Sequence, residues 1–313
     1  RRRGRRVAPA AGPRPPAACH NPHCPRFALR SSRMTKAKVT DLRKAYPDLT
    51  PDKDYPPLKF KSLKGKVSAA EWEARVDCAC AYRLVRHFGM DDLIYNHISA
   101  RIPGTEEFLL NPFGLMYDEI CASSLIKVNL SGKLLWQPEF PKGLGYKFNP
   151  AGYVIHSAIH EAKPELHCVI HTHSLAGMAV ASLKKGLLPM TQTAMRFDKV
   201  AYHDYEGVVL EEGEKARLIA NLGDCVVMLL KNHGVLAVGR TVAEGFNNIY
   251  RIERACRAQL MAQSGGDEIL LPARDVIEKT NHMYNPGTRR AYGLLEWPAM
   301  RRLADRIDSS YKN

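Results

Sequence analysis

Two rhythms of apolar positions alternate along residues 68–266, one with the spacing of helices and one of short buried strands. Ser68-Ala69-Ala70-Glu71 has the spacing of a capping box, in which the Ser and Glu side chains satisfy each other's free backbone N–H groups. It predicts a helix running to about His87, with Val76, Ala79, Cys80, Leu84 and Val85 on one face and Gly89 as its stop. Residues 94–101 and 108–111 then read as short strands, broken by Pro103-Gly104 and Pro112. Helical spacing returns over 151–162 through Val154, Ile155, Ala158 and Ile159, and Pro164 ends it. Cys168-Val169-Ile170-His171 reads as a buried strand. A helix over 211–222 is closed by Gly223, and strands at 225–230 and 235–238 flank Asn232-His233-Gly234. Thr241-Val242-Ala243-Glu244 is a second capping box, opening a long helix that closes at Gly265-Gly266. Beyond it, Trp297-Pro298 precedes a basic helical stretch at 300–307. This pattern predicts one α/β domain over 68–266, an N-terminal arm over 34–67 and a C-terminal helical extension over 267–313.

Candidate chemistry sits at the ends of the predicted strands. His171 and His173 are two apart at the end of an apolar strand, so their side chains point to the same side and can share one ion. His233 lies far downstream, in a turn after another apolar strand, and a distant third ligand beside a closely spaced pair is the usual pattern of catalytic zinc. Three neutral imidazoles leave one coordination position where the ion can polarise a carbonyl or stabilise an enediolate. The competing reading is a set of satisfied core histidines. His156 and His160, at i and i+4 on a helix, form a second candidate pair, but no Glu follows His156 and the metalloprotease pattern is missing. That pair reads as structural or solvated.

Charge changes the picture only at the N-terminus. The chain carries a formal net charge of +14, yet nine of its 46 basic residues are arginines within residues 1–33, which hold no acidic residue. The remainder is mildly basic, without the interleaved aromatics of a nucleic-acid surface, so no nucleic-acid partner is expected. Residues 1–33 precede Met34 and read as a non-native or disordered leader, with an organellar transit peptide as the alternative. Cys19-His20-Asn21-Pro22-His23-Cys24 has the form of half a zinc knuckle, but without a second half. Without a secretory signal the eight cysteines are expected as reduced thiols. No apolar run approaches the roughly 20 residues that span a bilayer. The expected location is the cytoplasm.

Several segments together resemble the class II aldolase/adducin family across most of residues 70–270, adducin heads more closely than sugar-phosphate aldolases. They are Tyr95-Asn96-His97-Ile98-Ser99, the segment from Asn111 to Tyr117, Ala151-Gly152-Tyr153-Val154-Ile155-His156, Ile170-His171-Thr172-His173, Ala201-Tyr202-His203-Asp204-Tyr205 and Lys231-Asn232-His233-Gly234. The resemblance implies a mixed central β-sheet flanked by helices in a three-layer α/β/α domain, assembled as a homotetramer with sites at subunit boundaries. It implies Zn2+, or another divalent metal such as Mn2+, on His171, His173 and His233. Tyr202 takes the place of a family tyrosine that protonates the leaving enolate, and Asn96, Ser99 and Gly114 stand in substrate-binding segments.

Departures from the family narrow the chemistry. Family aldolases carry an acidic residue four before His156, where this chain has Gly152, so no base is identified; Asp204 and Glu206 are the nearby carboxylates. Asn96-His97-Ile98-Ser99 replaces the phosphate-binding Gly-Asn-X-Ser turn, and Pro150-Ala151 replaces a Ser-Ser pair. The expected function is therefore a metal-dependent lyase acting on a small, unphosphorylated hydroxycarbonyl compound. The alternative is a non-catalytic, adducin-like binding or assembly protein. Actin or spectrin binding is not expected without an adducin tail.

Overall fold

Ser68 starts the first helix, α1 (Ala69–His87), by accepting the Glu71 N–H at 3.1 Å. The reciprocal half of the expected capping box is not made. Arg75 is fully buried, and a buried guanidinium requires a counter-charge, so Glu71 binds Arg75 at 2.9 Å and Lys127 at 3.1 Å. The second box behaves alike: Thr241 caps Glu244 N–H, while the Glu244 carboxylate turns to Arg240.

The computed structural model describes residues 57–140, 146–197, 199–207 and 212–313, all within one compact unit, Lys53–Asn313. The expected leader, the knuckle-like cysteine segment, most of the 34–67 arm and the first residue of the 211–222 helix lie outside the described residues.

After α1 come β1 (His97–Arg101), β2 (Glu107–Leu110), β3 (Ile126–Asn129) and β4 (Leu134–Trp136). The first strand begins three residues later than its hydrophobicity suggests. Leu93 adopts a left-handed φ of 47° and Tyr95 N–H bonds back to Asp92 O, which makes 92–95 a turn. Helix α2 (Pro150–Ala162) leads into β5 (Cys168–Thr172) and two short helices, α3 (Leu175–Ala181) and α4 (Gln192–Met195). Then follow β6 (Ala201–His203), α5 (Glu212–Leu222), β7 (Val227–Leu230), β8 (Gly234–Gly239) and the long α6 (Val242–Ser264). The chain ends in α7 (Arg274–Tyr284), α8 (Trp297–Asp308) and a 3-10 turn at Ser309–Lys312.

The strands form one eight-stranded sheet in the order β4-β3-β2-β1-β5-β8-β7-β6, antiparallel except for the parallel β6–β7 pair. Successive strand residues face opposite sides, and each side has its own core. Ile98, Cys168, Ile170, Leu229 and Val235 pack with α1, α6, Trp297 and Tyr311 on one face. Val169, Met228, Leu236 and Val238 pack with Ile155 and Ile159 of α2 and Leu218 and Leu222 of α5 on the other. The layers are α/β/α, with a mixed sheet in the middle. The six described cysteines are free thiols. Among the described residues no helix is long and apolar enough to cross a membrane.

Candidate metal centre

The alternation that builds two cores also aims the histidines. On β5, Cys168 and Ile170 face the α1 side, which turns Val169 and His171 towards α2. His173, two residues on, follows His171. The third histidine arrives from the β7–β8 hairpin, whose strands end at the Leu230–Gly234 pair. Asn232 sits at φ 56° in this tight turn, and His233 N–H bonds Leu230 O at 3.0 Å. Gly234 is required for close approach: a Cβ there would lie 2.6 Å from Thr172 O and 3.1 and 3.2 Å from the His171 and His173 rings, closer than ordinary van der Waals contact.

His171, His173 and His233 each offer one ring nitrogen, and the three nitrogens lie within 4.8 Å of one another. Ring centroids are 4.8 to 5.0 Å apart around the triangle. Hydrogen bonds fix which nitrogens face inward. A carbonyl only accepts, so His171 Nδ1–H donates to Val235 O at 3.1 Å and leaves Nε2 as a bare lone pair. His173 Nδ1 lies 3.0 Å from Asp92 Oδ2, and donation to that carboxylate likewise leaves its Nε2 bare. This Nε2 is 3.1 Å from His233 Nε2. A carboxylate or carbonyl behind a histidine is the usual outer support of a metal ligand, since it sets tautomer and ring orientation.

Burial holds the His171 and His233 rings neutral. It pushes His171 well below the ordinary histidine range, and the neighbouring His97, His233 and His173 push the same way. His233 is lowered to about 4, by burial first and then by His173 and His203. Neutral imidazoles with inward lone pairs are the donor set a borderline-soft divalent ion takes.

A second histidine chain runs beside the first. On β1, Ile98 and Ala100 enter the α1-side core, so His97, Ser99 and Arg101 face α2. Opposite them, α2 presents Gly152, His156 and His160, spaced i, i+4, i+8. Two strand residues advance about 6.6 Å and four helical residues about 6.0 Å, so the two rows stay in step. His97 Nδ1 is 2.7 Å from His156 Nε2, His156 Nδ1 is 2.6 Å from Ser99 Oγ, and Ser99 Oγ is 2.7 Å from His160 Nε2. His160 Nδ1 ends the chain on Leu166 O at 3.0 Å, and Arg101 donates to the His160 carbonyl. Thus His156 and His160 are buried and joined through Ser99 Oγ rather than forming a helix-face ligand site. Burial lowers His97 and His156 well below the ordinary range and His160 to about 3.

The other expected residues are dispersed. Tyr202 is half-buried, its hydroxyl accepting Leu187 N–H at 3.0 Å against Gly186, and among the described residues no contact joins it to the triad. Ser99 has its one proton engaged in the histidine chain. Asn96 is buried with neither amide atom partnered among the described residues. Gly114 has φ 119° and lies under the Tyr146 ring. Asp204 and Glu206 line a cleft with His233, His203 and Tyr205, but Asp204 pairs with Lys231 at 2.6 Å and Glu206 with Arg217 at 2.9 Å.

Sequence reasoning missed two supports. Asp92 lies in an aperiodic loop, where no pattern selects it. Glu253 of α6 is buried and accepts Ser174 Oγ–H and Gly177 N–H at the start of α3, bracing the segment that follows His173.

Comparison with known proteins places these features in one lineage. The family described as Class II Aldolase and Adducin N-terminal domain matches residues 76–260. A Pseudomonas aeruginosa protein, provisionally named a class 2 aldolase, is 46% identical over 254 residues, 80% of this chain and 96% of that protein. Rattus norvegicus alpha-adducin is 43% identical over 201 residues, 63% of this chain but 27% of adducin. An aldolase II superfamily protein from Pseudomonas syringae superposes with a TM-score of 0.73 at 43% identity, covering 81% of this chain and 100% of that one. An L-fuculose 1-phosphate aldolase from Glaciozyma antarctica superposes with a TM-score of 0.68 at 26% identity, over 82% and 97% of the two chains. With the sheet order, the histidine triad and the matched span in agreement, this chain is a member of the class II aldolase/adducin family.

Proposed function

We propose that the protein is a metal-dependent lyase of the class II aldolase type, acting on a small, unphosphorylated hydroxycarbonyl compound. His171, His173 and His233 hold the ion, zinc by donor type with manganese as the alternative. The observation that carries this is the pair of bare Nε2 lone pairs on His171 and His173, each enforced by an acceptor behind the ring and converging with His233. When bound, the ion supplies Lewis acidity to a substrate carbonyl.

The unphosphorylated substrate follows from the donors. A helix N-terminus binds phosphate through free N–H groups. At the start of α2, Pro150 has none and the Asn149 side chain caps Ala151 N–H. The Ser99 proton is directed to His160. Asn96 supports a hydroxylated ligand, because an unpaired buried amide group is unfavourable by about 1–3 kcal/mol and a substrate hydroxyl would satisfy it.

We also propose a cytoplasmic homotetramer. Leu270 and Leu295 are 88% and 72% exposed, Leu271 and Leu294 are exposed with them, and α7 buries no residue; such apolar surface marks interfaces.

The test is metal content per chain by mass spectrometry on tag-free protein, beside a His171→Ala/His233→Ala variant. About one equivalent in the parent and none in the variant is expected. Metal in neither would reject the lyase and favour a non-catalytic, adducin-like role, and metal retained by the variant would reject the triad.

A further inference from the structure

We infer that His97 is the proton acceptor of this site, its Nε2 kept bare by the histidine chain and directed at the substrate held beside the triad. The inference rests on the lyase reading for its substrate, but its geometry is independent of it.

The tautomers follow from one fixed end. Leu166 O accepts only, so His160 carries its proton on Nδ1 and its Nε2 accepts. The hydroxyl proton of Ser99 therefore points to His160, and Ser99 Oγ accepts from His156 Nδ1–H. That leaves His156 Nε2 as an acceptor, which His97 Nδ1–H satisfies. Each link has one solution for neutral rings, and the last is His97 with an unprotonated Nε2. No hydrogen-bond partner meets that atom among the described residues.

Placement points the same way. His97 pairs across the sheet with His171, their rings 5.0 Å apart. Its ring occupies the volume next to Gly152: a Cβ there would lie 2.6 Å from Cδ2 and 2.8 Å from Nε2. Glycine at 152 therefore makes room for His97, and the position that lacks a carboxylate is filled by an imidazole from another strand. His97 is not in the group whose nitrogens all lie within 4.8 Å of one another, so it stands outside the candidate ligand set.

In the step assigned to it, an α C–H bond of the hydroxycarbonyl breaks and its proton forms a bond to His97 Nε2. The electron pair moves into the adjacent carbonyl. Ser99, His156 and His160 are positioning residues, acting through the tautomer of His97.

The test uses the zinc-loaded full chain, its His97→Gln variant and its Ser99→Ala variant. Long-range 1H–15N NMR reads the tautomers, mass spectrometry the metal, and deuterium uptake into hydroxyacetone the proton transfer. We expect Nδ1-protonated His97, His156 and His160, and protonation of His97 Nε2 when acetohydroxamate, a chelating hydroxycarbonyl analogue, binds. His97→Gln should keep its metal and lose deuterium uptake by about 10²-fold or more. Ser99→Ala should give a mixed His97 tautomer. An Nε2-protonated His97 in the resting protein, loss of metal in His97→Gln, unchanged uptake in it, or no proton transfer on acetohydroxamate binding overturns the assignment. Absence of uptake in the parent, with the acetohydroxamate response intact, rejects the lyase reading and leaves His97 as the acceptor.

Discussion

Asp92 Oδ2 lies 3.0 Å from His173 Nδ1, joining a loop before β1 to the end of β5, 81 residues later. The carboxylate orients the ring and raises the basicity of the opposite nitrogen. Asp92→Asn keeps the size but removes the charge and the enforced tautomer. It should weaken metal binding by about 10- to 100-fold, measured by competition with a chromogenic chelator. An unchanged affinity would show that the contact does not support the ligand.

Gly152→Ala should disturb one ring before any other. The added methyl would overlap His97, so either the ring or α2 must shift, at about 1–3 kcal/mol of stability. Urea unfolding measures this. The double variant Gly152→Ala/His97→Ala should recover part of the loss, since it removes the clash; equal stability of the single and double variants would refute the steric account.

Acid should unfold the metal-free protein earlier than carboxylate titration alone predicts. His156 and His160 have folded pKa values depressed by burial, His160 to about 3, whereas the unfolded chain protonates them near 6.5. Between these values the unfolded state binds more protons, so stability is complete above about pH 6.5 and falls as pH drops towards 3. Each such histidine contributes a slope of about 1.4 kcal/mol per pH unit. Urea midpoints in chelator from pH 7 to 4 should show it, with a shallower slope in His160→Gln. A flat profile would contradict neutral burial.

Glu253 is a second long-range brace. Its carboxylate receives Ser174 Oγ–H and Gly177 N–H, and Arg257 lies 2.7 Å from its other oxygen. Glu253→Ala should cost about 1–3 kcal/mol through the unpaired donors and, by loosening the segment after His173, lower metal affinity as well. Thermal unfolding with and without zinc separates the two effects: only the second narrows the zinc-induced shift in Tm.

Legibility in the sequence followed length and locality. Helices α1, α2 and α6 run through several turns, so their periodicity and caps were readable, and so were the strands carrying His171 and flanking His233. Strands β3, β4 and β6 have four, three and three residues, too few for an alternation to stand out. The triad was readable because two of its members share a strand face. The partners of Glu71 and Glu244 were not, because a buried or neighbouring arginine outside the motif decides them. At position 152 the sequence by itself shows only a glycine where the family has an acidic residue. Its meaning depends on His97, more than fifty residues earlier, which the fold alone brings to it.

The matched advance of β1 and α2 limits how this segment can evolve. His97, Ser99 and Arg101 meet Gly152, His156 and His160 because strand and helix keep a common stride over two steps. Substitution of one side chain leaves the register of the two rows intact. A single inserted or deleted residue cannot be absorbed, since it rotates every later helical position by about 100° or flips the strand to its other face. Related chains should therefore keep their length here, with gaps displaced into the loops between the two elements.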